Sequence, residues 1–190
     1  MRWKALTTLI VVAVLFQMVA MQTPASAQLL PPTRNSFSLG IGTFNPSVYT
    51  LGMSWPVAPA WDVLLTYSWQ TIGGTTGSLT GIGGRYFFPL TGSTATTFIG
   101  GGLASVALSA PGSPTASSSG LFITGGISTP LAQRITGYAS VTMFSAGGTS
   151  NNVIDFGAQF RLNPQFSAQV GYISFSGSAA PYIGVSLHLR

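Results

Sequence analysis

Val153-Ile154-Asp155-Phe156-Gly157-Ala158-Gln159-Phe160-Arg161-Leu162 is followed by Asn163-Pro164-Gln165 and then by Phe166-Ser167-Ala168-Gln169-Val170-Gly171-Tyr172. In the first run Ile154, Phe156, Ala158, Phe160 and Leu162 fall on one side, and Asp155, Gly157, Gln159 and Arg161 on the other. In the second run Phe166, Ala168, Val170 and Tyr172 alternate with Ser167, Gln169 and Gly171. Successive side chains of an extended chain point to opposite faces, so period two marks a strand. A Pro-bearing polar cluster between two such runs marks a turn. The stretch therefore reads as an antiparallel hairpin with one large, apolar face and one small or polar face.

The same alternation extends outward in both directions. Ile183, Val185, Leu187 and Leu189 oppose Tyr182, Gly184, Ser186, His188 and Arg190. Phe37, Leu39 and Ile41 oppose Ser36, Ser38, Gly40 and Gly42, and Tyr49, Leu51, Met53 and Trp55 oppose Thr50, Gly52 and Ser54. Trp61, Val63, Leu65, Tyr67 and Trp69 oppose Asp62, Thr66, Ser68 and Gln70, with Leu64 out of place. Strands are expected over about 36–44, 48–57, 61–72, 78–90, 95–109, 120–131, 135–146, 153–162, 166–176 and 181–190. That makes ten, or eight if two short segments merge. The central strands alternate less cleanly, through runs such as Gly100-Gly101-Gly102. Connections after even-numbered strands are short, as at Val57-Ala58-Pro59-Ala60, whereas those after odd strands are rich in Gly, Ser and Thr, the longest being Ser109 to Gly120. Membrane barrels keep short turns on the periplasmic side, so this parity places both termini there.

Composition says what these faces meet. Charged residues are 5% of the 190, with Asp62 and Asp155 the only acids, against roughly 25% charge in an ordinary soluble domain. Disorder is excluded by a chain that is 46% hydrophobic and 12% aromatic. A soluble β-sandwich also alternates, but its outer face carries charge. Gly, Ser, Thr and Gln instead suit the lining of a narrow barrel whose large apolar residues meet lipid. The expected fold is all-β, an antiparallel up-and-down transmembrane barrel. The net charge of +5 does not point to nucleic acid, because Arg34, Arg85, Arg134, Arg161 and Arg190 are scattered rather than clustered.

The barrel is preceded by a leader. Met1-Arg2-Trp3-Lys4 is cationic, Ala5 to Met21 is largely apolar, and Ala25-Ser26-Ala27 is a cleavage pattern. Residues 1–27 are expected to be a signal peptide and residues 28–190 the barrel domain, of 163 residues (190 − 27). The alternative is an uncleaved helical anchor.

The hairpin from Asp155 to Tyr172 resembles the penultimate hairpin of small outer-membrane β-barrel proteins of the OmpA/OmpX-like and opacity-protein kind. Phe98-Ile99-Gly100-Gly101-Gly102-Leu103-Ala104 resembles their central glycine-rich strand. The resemblance implies an outer-membrane barrel that meets outer-membrane lipid and passes through the export and barrel-assembly machinery. It implies no catalysis. This chain departs from the family pattern at its end, Ser186-Leu187-His188-Leu189-Arg190, where such proteins usually carry a terminal aromatic.

The residues themselves offer little chemistry. His188 is the sole histidine, and without glutamate only Asp62 or Asp155 could complete a Ser–His–acid set. One histidine and two separated aspartates make no usual metal ligand set, and Gly81-Ile82-Gly83-Gly84 lacks the Lys-Ser/Thr of a phosphate loop. No catalytic residue, metal or cofactor is expected. Asp62, Arg85, Asp155, Gln159, Arg161 and His188 are expected on the lumen face, with Arg–Asp pairing between neighbouring strands because an unpaired buried charge is costly. Trp55, Trp61, Phe88, Phe160 and Phe166 are expected to form a girdle at the membrane interface. Three functions follow: a structural barrel or one interacting through its loops, a narrow passive channel for small solutes, or a secreted soluble sandwich or adhesin module.

Overall fold

The computed structural model describes residues 35–43, 47–175 and 178–189. The expected signal peptide, together with Arg34 and Arg190, lies outside the described residues. Ten strands run β1 Ser36–Gly42, β2 Val48–Ala58, β3 Trp61–Ile72, β4 Thr75–Pro89, β5 Thr96–Ser109, β6 Ala116–Ala132, β7 Ile135–Ala146, β8 Thr149–Arg161, β9 Phe166–Phe175 and β10 Ser178–His188. Each pairs antiparallel with its sequence neighbours, and β1 pairs with β10 to close the barrel. Ten is the count read from the alternation. A single closed sheet also removes the sandwich, which needs two sheets packed face to face.

Closure is fixed at the strand ends. Asn35, with a positive φ of 53°, donates from Nδ2 to the Leu189 carbonyl at 2.7 Å, while Leu189 N donates to the Asn35 carbonyl at 2.8 Å. Asn is among the few non-glycine residues that tolerate this left-handed conformation. At the opposite end β3–β4 and β7–β8 turn through Gly73-Gly74 and Gly147-Gly148, all four with positive φ. Two such residues in succession make the hairpin turn whose twist matches the flanking strands.

These turns correct the expected boundaries. Residues 75–77 and 149–152 were expected in connections but pair as strand, because a Gly-Gly turn takes only two residues. Likewise β6 begins at Ala116, so the expected Ser109–Gly120 loop shrinks to residues 110–115. Connections at the end bearing the termini are 59–60, 90–95, 133–134 and 162–165, and the described ones at the distal end are 73–74, 110–115 and 147–148. The two ends do not differ in loop length, so the expected parity is absent and gives no orientation.

Two prolines flank bulges at the terminal end. Register shifts fall between Pro56 and Ala58 and between Pro130 and Ala132, just before the turns to β3 and β7. Proline has no N–H to give to the ladder, and in both strands the skipped residue, Val57 or Leu131, directly follows it.

Candidate functional site

Burial alternates along the strands as the period requires. Outside, every strand presents exposed large apolar side chains, among them Leu39, Met53, Leu65, Ile82, Leu103, Ile123, Met143, Phe156, Val170 and Ile183. Among the described residues no charged side chain lies on this outer wall: Asp62, Arg85 and Asp155 are buried inside, Arg161 and His188 sit on the inward face at the terminal mouth, and Arg134 is in a turn. A continuous apolar surface of this extent is far beyond the few hundred Å² that a soluble monomer exposes.

Aromatics bound the wall at both ends. Trp55 and Trp61 are half exposed at the terminal end, where Trp61 packs on Tyr86 at 5.0 Å and Tyr86 on Phe88 at 6.1 Å. Phe166, at the start of β9 on the same end, is exposed, and Phe160 is half-buried. A distal group, Tyr49, Tyr67 and Trp69, stacks at 5.4 Å between neighbours. Sequence reading did not single this group out, although the rings stand on the apolar faces of β2 and β3. From Trp61 to Trp69 along β3 is eight steps (69 − 61). That is about 26 Å at ~3.3 Å per residue, or about 20 Å along the axis at a tilt of roughly 40°. The spacing is close to the roughly 25 Å height of a membrane barrel's apolar band.

The lumen holds the small and polar side chains that the composition suggests, among them Ser38, Thr50, Ser68, Gln70, Thr124 and Ser186, and with them large apolar ones that it does not. Leu64, Leu79, Ala104, Phe122, Phe144, Val153, Ile173 and Tyr182 form one buried cluster, with one residue from each strand from β3 to β10. Leu64, which broke the alternation in sequence, has its place here: Leu64 and Leu65 are inward and outward respectively, and the period holds. Inward glycines make room for the large members. The Tyr182 ring lies against Gly40 and Gly184, so a Cβ at either would collide with it. A Cβ at Gly83 would come within 2.8 Å of the Phe122 ring, and one at Gly126 within 2.6 Å of the Phe98 ring. Large side chains on one strand thus fill the space that glycines leave on the next.

Toward the terminal end the filling turns polar. Asp62 and Arg85 are register partners on β3 and β4 and form an ion pair at 3.5 Å, both fully buried. Ser54 bridges them: its hydroxyl donates to Asp62 Oδ2 at 2.9 Å and accepts from Arg85 Nη2 at 3.0 Å. The guanidinium also lies 5.1 Å from the Phe87 ring centroid and 5.5 Å from that of Phe98, a cation–π arrangement. Across the lumen, Tyr182 donates to Gln169, whose amide donates to Ser186, which in turn pairs with Ser38 at 2.9 Å.

Asp155 departs from the expected Arg–Asp pairing. It is buried, but Ser140 and Ile173 stand opposite it on β7 and β9, and Arg161 is six positions along the same strand (161 − 155). The Tyr138 hydroxyl faces the carboxyl group without reaching hydrogen-bond geometry, and neither Asp155 oxygen has a hydrogen-bond partner. Gln159 is buried too, and its Nε2 is without an acceptor.

Arg161 and His188 keep the inward parity but stand at the terminal mouth: Arg161 is exposed and His188 half-buried, with Nε2 2.7 Å from Ser167 Oγ. Neither aspartate joins this pair. Asp62 is held by Ser54 and Arg85, and Asp155 stands opposite Ser140 and Ile173. Among the described residues no group of three His, Cys, Asp or Glu side chains could hold a metal ion.

No family model and no curated protein matches the chain. Solved structures do. A KdgM porin aligns with a TM-score of 0.51 at 11% identity, over 82% of this chain and 99% of its own. KdgM porin in complex with disordered oligogalacturonate gives a TM-score of 0.50 at 11% identity, over 82% and 99%. The N-terminal β-barrel domain of Pseudomonas aeruginosa OprF aligns at 16% identity over 81% and 97%, with a TM-score of 0.39 too low to bear weight. At these identities the likeness is one of fold: the chain shares the barrel fold of the KdgM porin.

Proposed function

We propose that this chain is a non-enzymatic barrel of the outer membrane with a closed lumen, acting as a structural element or through its short external connections. One observation carries the reading: the apolar cluster of Leu64, Leu79, Phe122, Phe144, Val153, Ile173 and Tyr182, which draws on neighbouring strands from β3 to β10 and reaches β1 through the ring on Gly40. A ten-stranded wall encloses more space than the eight-stranded one that side chains just fill. Aromatic rings packed on glycines make up that difference, and an apolar layer of this kind excludes water and hydrated ions alike.

The uncharged outer wall between two aromatic groups supports a place in lipid, with outer-membrane lipid as the chain's main partner and the export and barrel-assembly machinery as its route. An even number of strands leaves both termini on one side, and we take that side as the periplasmic one, from which an exported chain enters.

The test has two stages. The chain refolded in detergent should migrate differently before and after boiling, and in planar bilayers it should give no stepwise conductance. Discrete steps at moderate voltage would transfer the assignment to the narrow passive channel, and a chain that stays folded and soluble without detergent would remove the membrane reading altogether.

A further inference from the structure

We infer that the terminal mouth of the barrel is a binding site for a phosphate group. The mouth holds a recess of about 170 Å³ lined by Gln133, Arg134, Thr136, Gln159, Arg161, Ser167 and His188. Four successive strands build it. Arg134 precedes β7, Arg161 ends β8, Ser167 opens β9 and His188 ends β10. Their backbones are tied together: Arg161 N donates to the Arg134 carbonyl at 2.8 Å, Arg161 and Ser167 are register partners, and His188 N donates to the Gln165 carbonyl at 2.7 Å.

The lining is a donor set. Two guanidiniums supply fixed positive charge and planar N–H pairs suited to a tetrahedral oxyanion. Thr136 and Ser167 add hydroxyls, and Arg161 and the His188 ring are within electrostatic reach of each other. No side-chain carboxylate lines the recess. Neither arginine has an ion-pair partner among the described side chains, whose ion pair is Arg85–Asp62 deeper in the barrel.

A second observation points to a ligand that accepts hydrogen bonds. Gln159 is buried in the recess floor, and its Nε2 has no acceptor. A buried amide N–H left without a partner is disfavoured, and a turn of the Gln159 side chain toward the recess it lines would bring that N–H to an anion seated there. A cation is excluded by the two like charges already present. The site does not depend on whether the lumen conducts, since the ligand binds at the mouth.

A phosphate could reach this position free in solution or on the headgroup of a lipid in the adjoining leaflet. The experiment separates the two. The full chain, without a tag, contains one histidine, so the His188 ring resonances in a phosphate-free, uncharged detergent are a single, unambiguous reporter. Inorganic phosphate, titrated at constant pH and low ionic strength, should shift these resonances saturably. The double variant Arg134→Gln/Arg161→Gln should weaken that response by about a hundredfold or more, as expected for loss of two charge-assisted contacts. Both residues are exposed, so the variant should keep the heat-dependent mobility of the parent, and Gln159→Leu should weaken binding without removing either charge. If phosphate has no effect but a phosphatidic acid doped into the micelles shifts the ring in the parent and not in the double variant, the site is confirmed with a lipid source. No response to either probe, or an equal response in parent and double variant, overturns the inference.

Discussion

Replacing Asp62 with Asn removes one negative charge from a fully buried ion pair while keeping the side chain's shape. Arg85 Nη2 stands 3.5 Å from Asp62 Oδ2, and at an effective dielectric of ~20 two unit charges at that distance attract by about 5 kcal/mol. The guanidinium keeps the Ser54 hydroxyl and the faces of Phe87 and Phe98 in both forms, so these cancel, but the Asn carboxamide oxygen can still accept from Arg85, which recovers about 1–2 kcal/mol. The expected loss is therefore about 3 kcal/mol, at the lower edge of the 3–5 kcal/mol typical of breaking one side of a buried pair. In the folding equilibrium that is a factor of more than about a hundred. Urea titration of the barrel reversibly folded in lipid vesicles, followed by tryptophan emission, would measure it. The double variant Asp62→Asn/Arg85→Met removes both charges and should recover most of the loss, because an apolar replacement of a buried pair is often near neutral. A single substitution costing under about 1 kcal/mol, or a double costing as much as the two singles added, would refute the claim that the two charges stabilise each other here.

Three further substitutions probe the wall and the filling. Gly40→Ala should destabilise by about 1–3 kcal/mol through collision with the Tyr182 ring, yet be nearly neutral in a Tyr182→Ala background; equal costs in both backgrounds, measured by the same urea titration, would show that the ring is not what Gly40 accommodates. Phe156→Arg places a charge on the lipid-facing side and should cost about 2–4 kcal/mol in bilayers, whereas the same change at exposed Gln133 in the β6–β7 turn should cost little; comparable losses would overturn the facing assignment. Phe122→Ala with Phe144→Ala removes two rings from the lumen cluster, and single-channel recording should then detect ion steps absent from the parent; silence in a verified folded variant would mean that another layer closes the lumen.

How much of this was legible in the sequence follows from what each feature depends on. Strand number and facing depend on period two, which Val153–Leu162 carries in plain form, and ten strands are found with most boundaries within three residues. One misplacement is the start of β6 at Ala116. Two others sit at Gly73-Gly74 and Gly147-Gly148, where φ > 0 at both positions lets strands run to a two-residue turn. That chemistry is local and was present to be read. The aromatic group at Tyr49, Tyr67 and Trp69 is also visible there, since all three rings fall on the apolar faces of β2 and β3.

What the lumen holds is a different kind of question, because it depends on which residues of separate strands reach one level. Gly40 and Tyr182 are far apart in sequence, but β1 pairs with β10 so that Gly40 meets Gly184, two residues from the tyrosine. Once register is known, the ring belongs over both glycines. The same logic pairs Phe122 with Gly81 and Gly83, and Phe98 with Gly126. Counting small inward residues therefore overstates the open space, since glycines such as Gly40, Gly83, Gly126 and Gly184 each lie under a ring from elsewhere in the lumen. Asp62 and Arg85 were rightly expected inside and are paired by register, whereas Asp155 was expected to find an arginine and stands opposite Ser140 and Ile173. Parity along one strand assigns a residue to the inside; only register across strands decides what it meets there, and in a barrel this narrow that decides whether anything passes.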